Sequence, residues 1–148
     1  IMHKIFIKYL KNGEELYQIK KATAGSAGFD LMAALENETN VQPNSTKLIP
    51  CGFSLQMPEG IEAQVRPRSG IALKHSVTVL NSPGTIDADY RGEICVILIN
   101  HSKVKFHIKR GMRIAQLVFI KLPEINLLET KNLNKTNRGS GGFGSTGV

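Results

Sequence analysis

The chain has 148 residues, enough for one domain with a real core and too few for two. Its hydrophobic share of 41% and charged share of 21% are ordinary for a globular protein, and 14 glycines without a tryptophan point to many turns. The formal charge of +7 suits any polyanion, so it does not choose among nucleic acid, acidic membrane surfaces and nucleoside phosphates. A helical membrane protein is excluded, because no apolar run approaches the roughly 18 residues that span a bilayer.

In chain order, Ile5 to Leu10 alternates apolar and polar residues with β-branched and aromatic content, which predicts a first edge strand. Glu14 to Lys21 carries no clear signal. Small residues from Ala22 to Gly28 then close on Phe29-Asp30-Leu31, implying a close backbone approach. Glu36 to Thr46 reads as a polar loop, Leu48 to Met57 as two short strands about Pro50 and Gly52, and Ile61 to Arg66 as another after the Pro58-Glu59-Gly60 turn. Ile71 to Lys74 is the one place for a helix, of one or two turns, with Ser69 as its cap and a nearby arginine making an anion site. Val77 to Leu80, Glu93 to Asn100, Phe106 to Ile108 and Met112 to Ile120 complete a series of brief strands, which indicates an all-β sandwich, jelly roll or barrel. The composition changes after Leu128, so we read residues 1–128 as the β domain and 129–148 as a flexible arm without a core of its own.

Cys51 and Cys95 lack C-x-x-C spacing and a zinc-finger histidine, so no structural metal is expected. Their apolar neighbours suggest buried thiols in a reducing cytosol, and the absence of a secretory apolar core near the N-terminus agrees, although one disulfide stays open. His3, His75, His101 and His107 have no metal-ligand spacing. Lys103, Lys105, Lys109, Arg110 and Arg113 lack interleaved RNA-binding aromatics and read as a solvated basic face, so no direct nucleic-acid binding is expected.

The densest chemistry lies between Asn81 and Gly92. Two turn-forming clusters bracket a segment that carries Asp87, Asp89 and Tyr90, and apolar runs flank it on both sides, as in a ligand-gripping hairpin. In an extended segment the two carboxylates would share one face and Tyr90 the other. A glycosidase pair would have to stand across a scissile bond, so a single carboxylate acting as general base on water fits better. Pro83 removes one backbone donor from this hairpin. In the tail, Gly139-x-Gly141-x-x-Gly144 matches a dinucleotide fingerprint only formally, since no strand and helix surround it. Arg138, Phe143, Ser145 and Thr146 instead combine a phosphate fork, a stacking ring and two hydroxyls, the parts of a lid over a nucleotide.

Together these segments resemble the five ordered motifs of the trimeric dUTP pyrophosphatase (dUTPase) family. Ala24-Gly25-Ser26-Ala27-Gly28-Phe29-Asp30-Leu31 is similar to the first, Pro67-Arg68-Ser69-Gly70 to the second, and Asn81 through Gly92 to the third. Arg113-Ile114-Ala115-Gln116-Leu117 is similar to the fourth and Arg138 to Gly147 to the fifth. The resemblance implies a distorted jelly roll assembling as a homotrimer, with active sites built from three chains. It implies a cytoplasmic enzyme that hydrolyses dUTP with Mg²⁺. Arg68, Ser69, Gly70 and Gln116 would hold phosphates, while Asn81, Gly84, Thr85, Ile86 and Tyr90 would hold deoxyuridine. Asp87 would activate water, and Arg138, Gly142, Phe143, Ser145 and Thr146 would close over the substrate. Asp30 would contact the hydrated metal or brace the site, and for Asp89 a structural hydrogen bond is favoured. Rival readings are a dCTP deaminase-related enzyme and a non-catalytic dUTP sensor.

Overall fold

The computed structural model describes residues 2–17, 20–145 and 147. Its elements run β1 (Phe6–Tyr9), β2 (Phe29–Met32), β3 (Thr39–Val41), β4 (Thr46–Pro50), β5 (Phe53–Gln56), β6 (Ile61–Arg66), α1 (Ser69–His75), β7 (Val77–Val79), β8 (Gly84–Ile86), β9 (Cys95–Asn100), β10 (Phe106–Ile108) and β11 (Arg113–Lys121). They form a distorted jelly roll: a four-stranded sheet ordered β2-β11-β6-β8, a three-stranded sheet β4-β9-β7, and two-stranded pairs β1-β5 and β10-β3.

Alternation of side chains produces the core. Along β6, Ile61, Ala63 and Val65 point inward while Glu62, Gln64 and Arg66 stay partly exposed. Val96 and Leu98 do the same along β9, and both meet Ile49, Phe53 and Ile108 in one continuous apolar cluster. Among the described residues, Asn100 is the one polar side chain buried in this core. Its amide donates to the carbonyls of Val41 (2.9 Å) and Val104 (2.8 Å), and its Oδ1 accepts from the Ser102 N–H (2.9 Å). Every polar atom of that side chain is therefore matched, and the turn after β9 is fastened to β3.

The structure differs from the sequence expectations in several places. The polar stretch Glu36 to Thr46 contains β3, because Thr39 to Val41 finds a ladder partner in β10, about which local composition is silent. Ser69 does not cap α1; the cap position is Arg68, in extended conformation without a side-chain bond, and Ser69 is the first helical residue. The stretch from Asn81 to Gly92 is not a simple hairpin. The strands that flank it, β7 and β9, pair with each other, while β8 leaves them to pair with β6 in the other sheet. The Ser82–Pro83 peptide is cis. Asp87 to Tyr90 is a turn closed by the Tyr90 N–H on the Asp87 carbonyl (3.2 Å), so the alternation expected of an extended segment does not apply there. Both cysteines are free thiols. Cys51 is buried as expected, while Cys95 is only partly so, at the start of β9.

Candidate active site

Two cavities gather the residues singled out by sequence. The first, of about 210 Å³, is lined by Asn81, Gly84, Thr85, Ile86, Asp87 and Tyr90, with Glu93 and apolar side chains of β6 and β9 behind them. Gly84 matters sterically: a Cβ there would stand 3.2 Å from the Val65 Cβ and 3.3 Å from Asn81 Nδ2, so glycine lets the Asn81 amide close against β8. Beyond β8 the Arg91 guanidinium donates to the Ala88 carbonyl (2.7 Å) and holds the turn in shape. The Asp87 and Asp89 side chains form no hydrogen bond or ion pair among the described residues and face solvent. For Asp89, the structural hydrogen bond expected from sequence finds no partner within the described chain.

A second cavity, of about 520 Å³, brings together Asp30, Arg68, Ser69, Gly70 and Gln116 from three separate elements. The sheet register explains the meeting. Gln116 of β11 lies opposite Asp30 of β2 on one side and Arg66 of β6 on the other, so the strand that ends in Pro67-Arg68-Ser69 delivers its residues beside the first two. Gly28 permits the approach, since a Cβ there would lie 2.8 Å from the Leu117 carbonyl oxygen and 3.0 Å from Gln116 Oε1. Gly25, by contrast, has open space around it, so of the two glycines in this stretch only Gly28 serves a close approach. Asp30 is shared between two guanidinium groups, Arg68 Nε at 3.6 Å and Arg113 Nη1 at 3.5 Å. Arg68 also donates to the Arg113 carbonyl (3.3 Å) and Gln116 to the Pro67 carbonyl (3.4 Å). This cavity is a basic, hydrogen-bonding cup suited to an anion.

The two cavities have no lining residue in common. Among the described residues, the tail reaches neither. Residues 122–140 are exposed, Arg138 Nε bonds the Gly141 carbonyl (2.8 Å) within the tail, and Phe143 is fully exposed beside Gly142 and Ser145. Thr146 lies outside the described residues. Within one chain, then, the cleft, the basic cup and the described part of the tail stand apart.

Some of the remaining candidates have structural partners. His107 sits between Glu38 (2.8 Å) and Asn40 (3.0 Å), and Lys109 lies 3.9 Å from Glu38. Arg110 donates to the Asn12 carbonyl (2.7 Å). His75 packs against Phe106 with ring centres 5.1 Å apart. Among the described residues no group of three His, Cys, Asp or Glu side chains is placed to hold a metal, and no helix is long and apolar enough to cross a membrane.

Comparison with known proteins fits this geometry. The family model described as dUTPase matches residues 14–147, nearly the whole chain. The chain belongs to the dUTPase family. A deoxyuridine 5'-triphosphate nucleotidohydrolase from Beijerinckia indica subsp. indica is 56% identical over 146 residues, covering 97% of this chain and 91% of that protein. Its counterpart from Neorickettsia sennetsu is 51% identical over 142 residues, covering 96% and 95%. Among solved structures, a mutant of the Staphylococcus bacteriophage 80alpha dUTPase with dUpNHpp superposes with a TM-score of 0.83 at 23% identity, over 99% of this chain and 100% of that one. A mutant dUTPase from phage phi11 of S. aureus, described with a structural Mg(II) ion, gives 0.78 at 19% identity over 89% and 99%. At those identities the superpositions speak to the fold.

Reading the dUTPase from sequence missed three contributors. Lys74 and His75, on the last turn of α1, also line the anion cup. Glu93 lines the cleft and bonds two segments far away in the chain. The first two follow the matched motif by a few residues, whereas nothing local marks Glu93.

Proposed function

We propose that the chain hydrolyses dUTP to dUMP and pyrophosphate, limiting uracil in DNA and supplying dUMP for thymidylate synthesis. The observation that carries this reading is the pairing of a narrow cleft, bearing an unpaired Asp87, with a separate basic cup of Arg68, Ser69, Gly70 and Gln116. The cleft takes deoxyuridine. Backbone groups of Gly84 to Ile86 face the base edge, Asn81 closes one side, and Tyr90 lies beneath the sugar where a ribose 2′-hydroxyl would collide. The cup takes the phosphate chain.

Asp87 orients a water and accepts its proton as the water oxygen attacks the α-phosphorus in line. The bond from that phosphorus to the bridging oxygen breaks, and pyrophosphate leaves with the electron pair. Magnesium fits as part of the substrate. The cup offers one carboxylate, Asp30, already placed between two arginines, and such a donor set suits a hydrated ion carried on phosphate oxygens better than a protein cage. Bound there, the ion offsets triphosphate charge. Asp30 acts chiefly as a brace for Arg68, a role supported by its two ion pairs.

Because cleft, cup and tail stand apart in one chain, we place the complete site between subunits of a homotrimer. One chain offers its cleft, a second its cup, and a third its tail, with Arg138, Gly142, Ser145 and Thr146 on the phosphates and Phe143 over uracil. Residues 1–128 form the β domain of this assembly and 129–148 the closing arm, working in the cytoplasm. Assay of a dNTP panel for pyrophosphate and ammonia tests the reading. Pyrophosphate from dUTP alone is the expected result; ammonia from dCTP would establish the deaminase, and tight dUTP binding without turnover the sensor.

A further inference from the structure

Glu93 lines the candidate cleft and takes part in no step described above, yet it is tied to two distant parts of the molecule and to the nearby Tyr90. Its Oε1 accepts the Asn12 Nδ2–H at 2.7 Å and the Gly52 N–H at 2.9 Å. Those two donors sit on turns that are pressed backbone to backbone: a Cβ on Gly13 would fall 1.9 Å from the Gly52 carbonyl oxygen. Asn12 is itself fixed, since its amide also reaches the Ala34 carbonyl (3.3 Å) and its carbonyl accepts from Arg110 (2.7 Å). The carboxylate is therefore anchored to a seat that cannot shift without breaking a close backbone contact, through bonds strengthened by its charge.

At its other end Glu93 holds Tyr90. The phenol donates to the Glu93 backbone carbonyl at 3.1 Å, and the ring lies where a Gly92 side chain would be, 2.3 Å from an added Cβ at Oη and 2.5 Å at Cζ. The Tyr90 ring is thus held against the backbone that Glu93 fastens to the fold.

We propose that Glu93 is a positioning residue for sugar selection: its carboxylate clamp on Asn12 and Gly52 holds the ring of Tyr90 in the place that excludes ribonucleotides. The inference rests on the reading that Tyr90 lies beneath the deoxyribose. Rejecting a 2′-hydroxyl requires a wall that does not yield by the width of one oxygen atom, and a tyrosine on an exposed turn lacks that stiffness alone. The clamp supplies it.

The test compares kcat/KM for dUTP and UTP in the full-length protein and its Glu93→Ala, Glu93→Gln and Tyr90→Ala variants. Glu93→Ala is expected to lower the dUTP-to-UTP ratio by about tenfold, chiefly by admitting UTP. Glu93→Gln should recover most of the ratio, since an amide oxygen still accepts both N–H groups, and Tyr90→Ala should lose it. A merely structural glutamate would lower both substrates together and leave the ratio alone. If Glu93→Ala does not fold, Asn12→Ala, which removes one donor, should move the ratio in the same direction. An unchanged ratio in the folded clamp variant beside a collapsed ratio in Tyr90→Ala would overturn the clamp alone. An unchanged ratio in Tyr90→Ala, or a native protein that does not hydrolyse dUTP, would overturn the function reading beneath it and the clamp with it.

Discussion

At the residue scale, the chemistry turns on carboxylates in contrasting surroundings. Asp30 lies between two guanidinium groups, Glu93 accepts two N–H donors, and Asp87 faces the cleft without a partner among the described residues. A general base must have its lone pairs available, and Asp87, which lines the cleft, meets that requirement of the proposed reaction. Asp87→Asn is expected to lower kcat by at least about 10²-fold while leaving dUTP binding, measured by calorimetry, largely intact. Loss of binding with the fold preserved would mean that Asp87 holds substrate instead. Burial pushes the Cys51 and Cys95 thiols up from the usual range, with Cys95 and then Glu93 adding to it at Cys51 and Glu93 at Cys95, so both stay protonated at neutral pH. Asp87, Arg68 and Gln116 were legible in the sequence because each sits in a short motif of neighbours. The clamp of Glu93 was not, since its partners lie 81 and 41 residues away and no local pattern encodes such a bond.

Strands behave in the same way at the scale of elements. Ile61–Arg66 is visible from alternation alone because one face of β6 packs on the core and the other does not. The three residues of β3 are polar or short and become a strand only through β10, some 65 residues on, with Lys47 of β4 donating to the Asn40 carbonyl (3.2 Å) across it. The passage from Asn81 to Gly92 shows the limit most clearly. Turn residues and flanking apolar runs mark its ends, but the choice of β6 as partner for β8 is a property of the assembled jelly roll. The tail is the opposite case. After β11 the Leu122 N–H still bonds the Gly60 carbonyl (2.8 Å), and the residues from there to 140 are exposed. Deleting residues 138–148 is expected to lower kcat on the order of 10²-fold, because a lid contributes only on closure. The melting temperature should move by less than about 2 °C, as no core contact is lost. A truncated chain that fails to fold would show that the tail belongs to the barrel.

Across the whole molecule, the parts of the proposed site stand apart within one chain. Cleft and cup have no lining residue in common, Phe143 covers neither, and several apolar side chains after β11, among them Ile125, Leu127 and Leu128, stay exposed. A site assembled from several copies of the chain uses each of these features, and it makes the isolated subunit inactive. The measurement that tests this most directly mixes two inactive variants, Asp87→Asn and the chain lacking residues 138–148, unfolds and refolds them together, and follows pyrophosphate release from dUTP. In a shared site the truncated chain lends an intact Asp87 while the substituted chain lends its tail, so activity should return in the mixture although neither variant has it alone. A mixture as inactive as its components, with hybrid assemblies demonstrated by mass, would contradict the account.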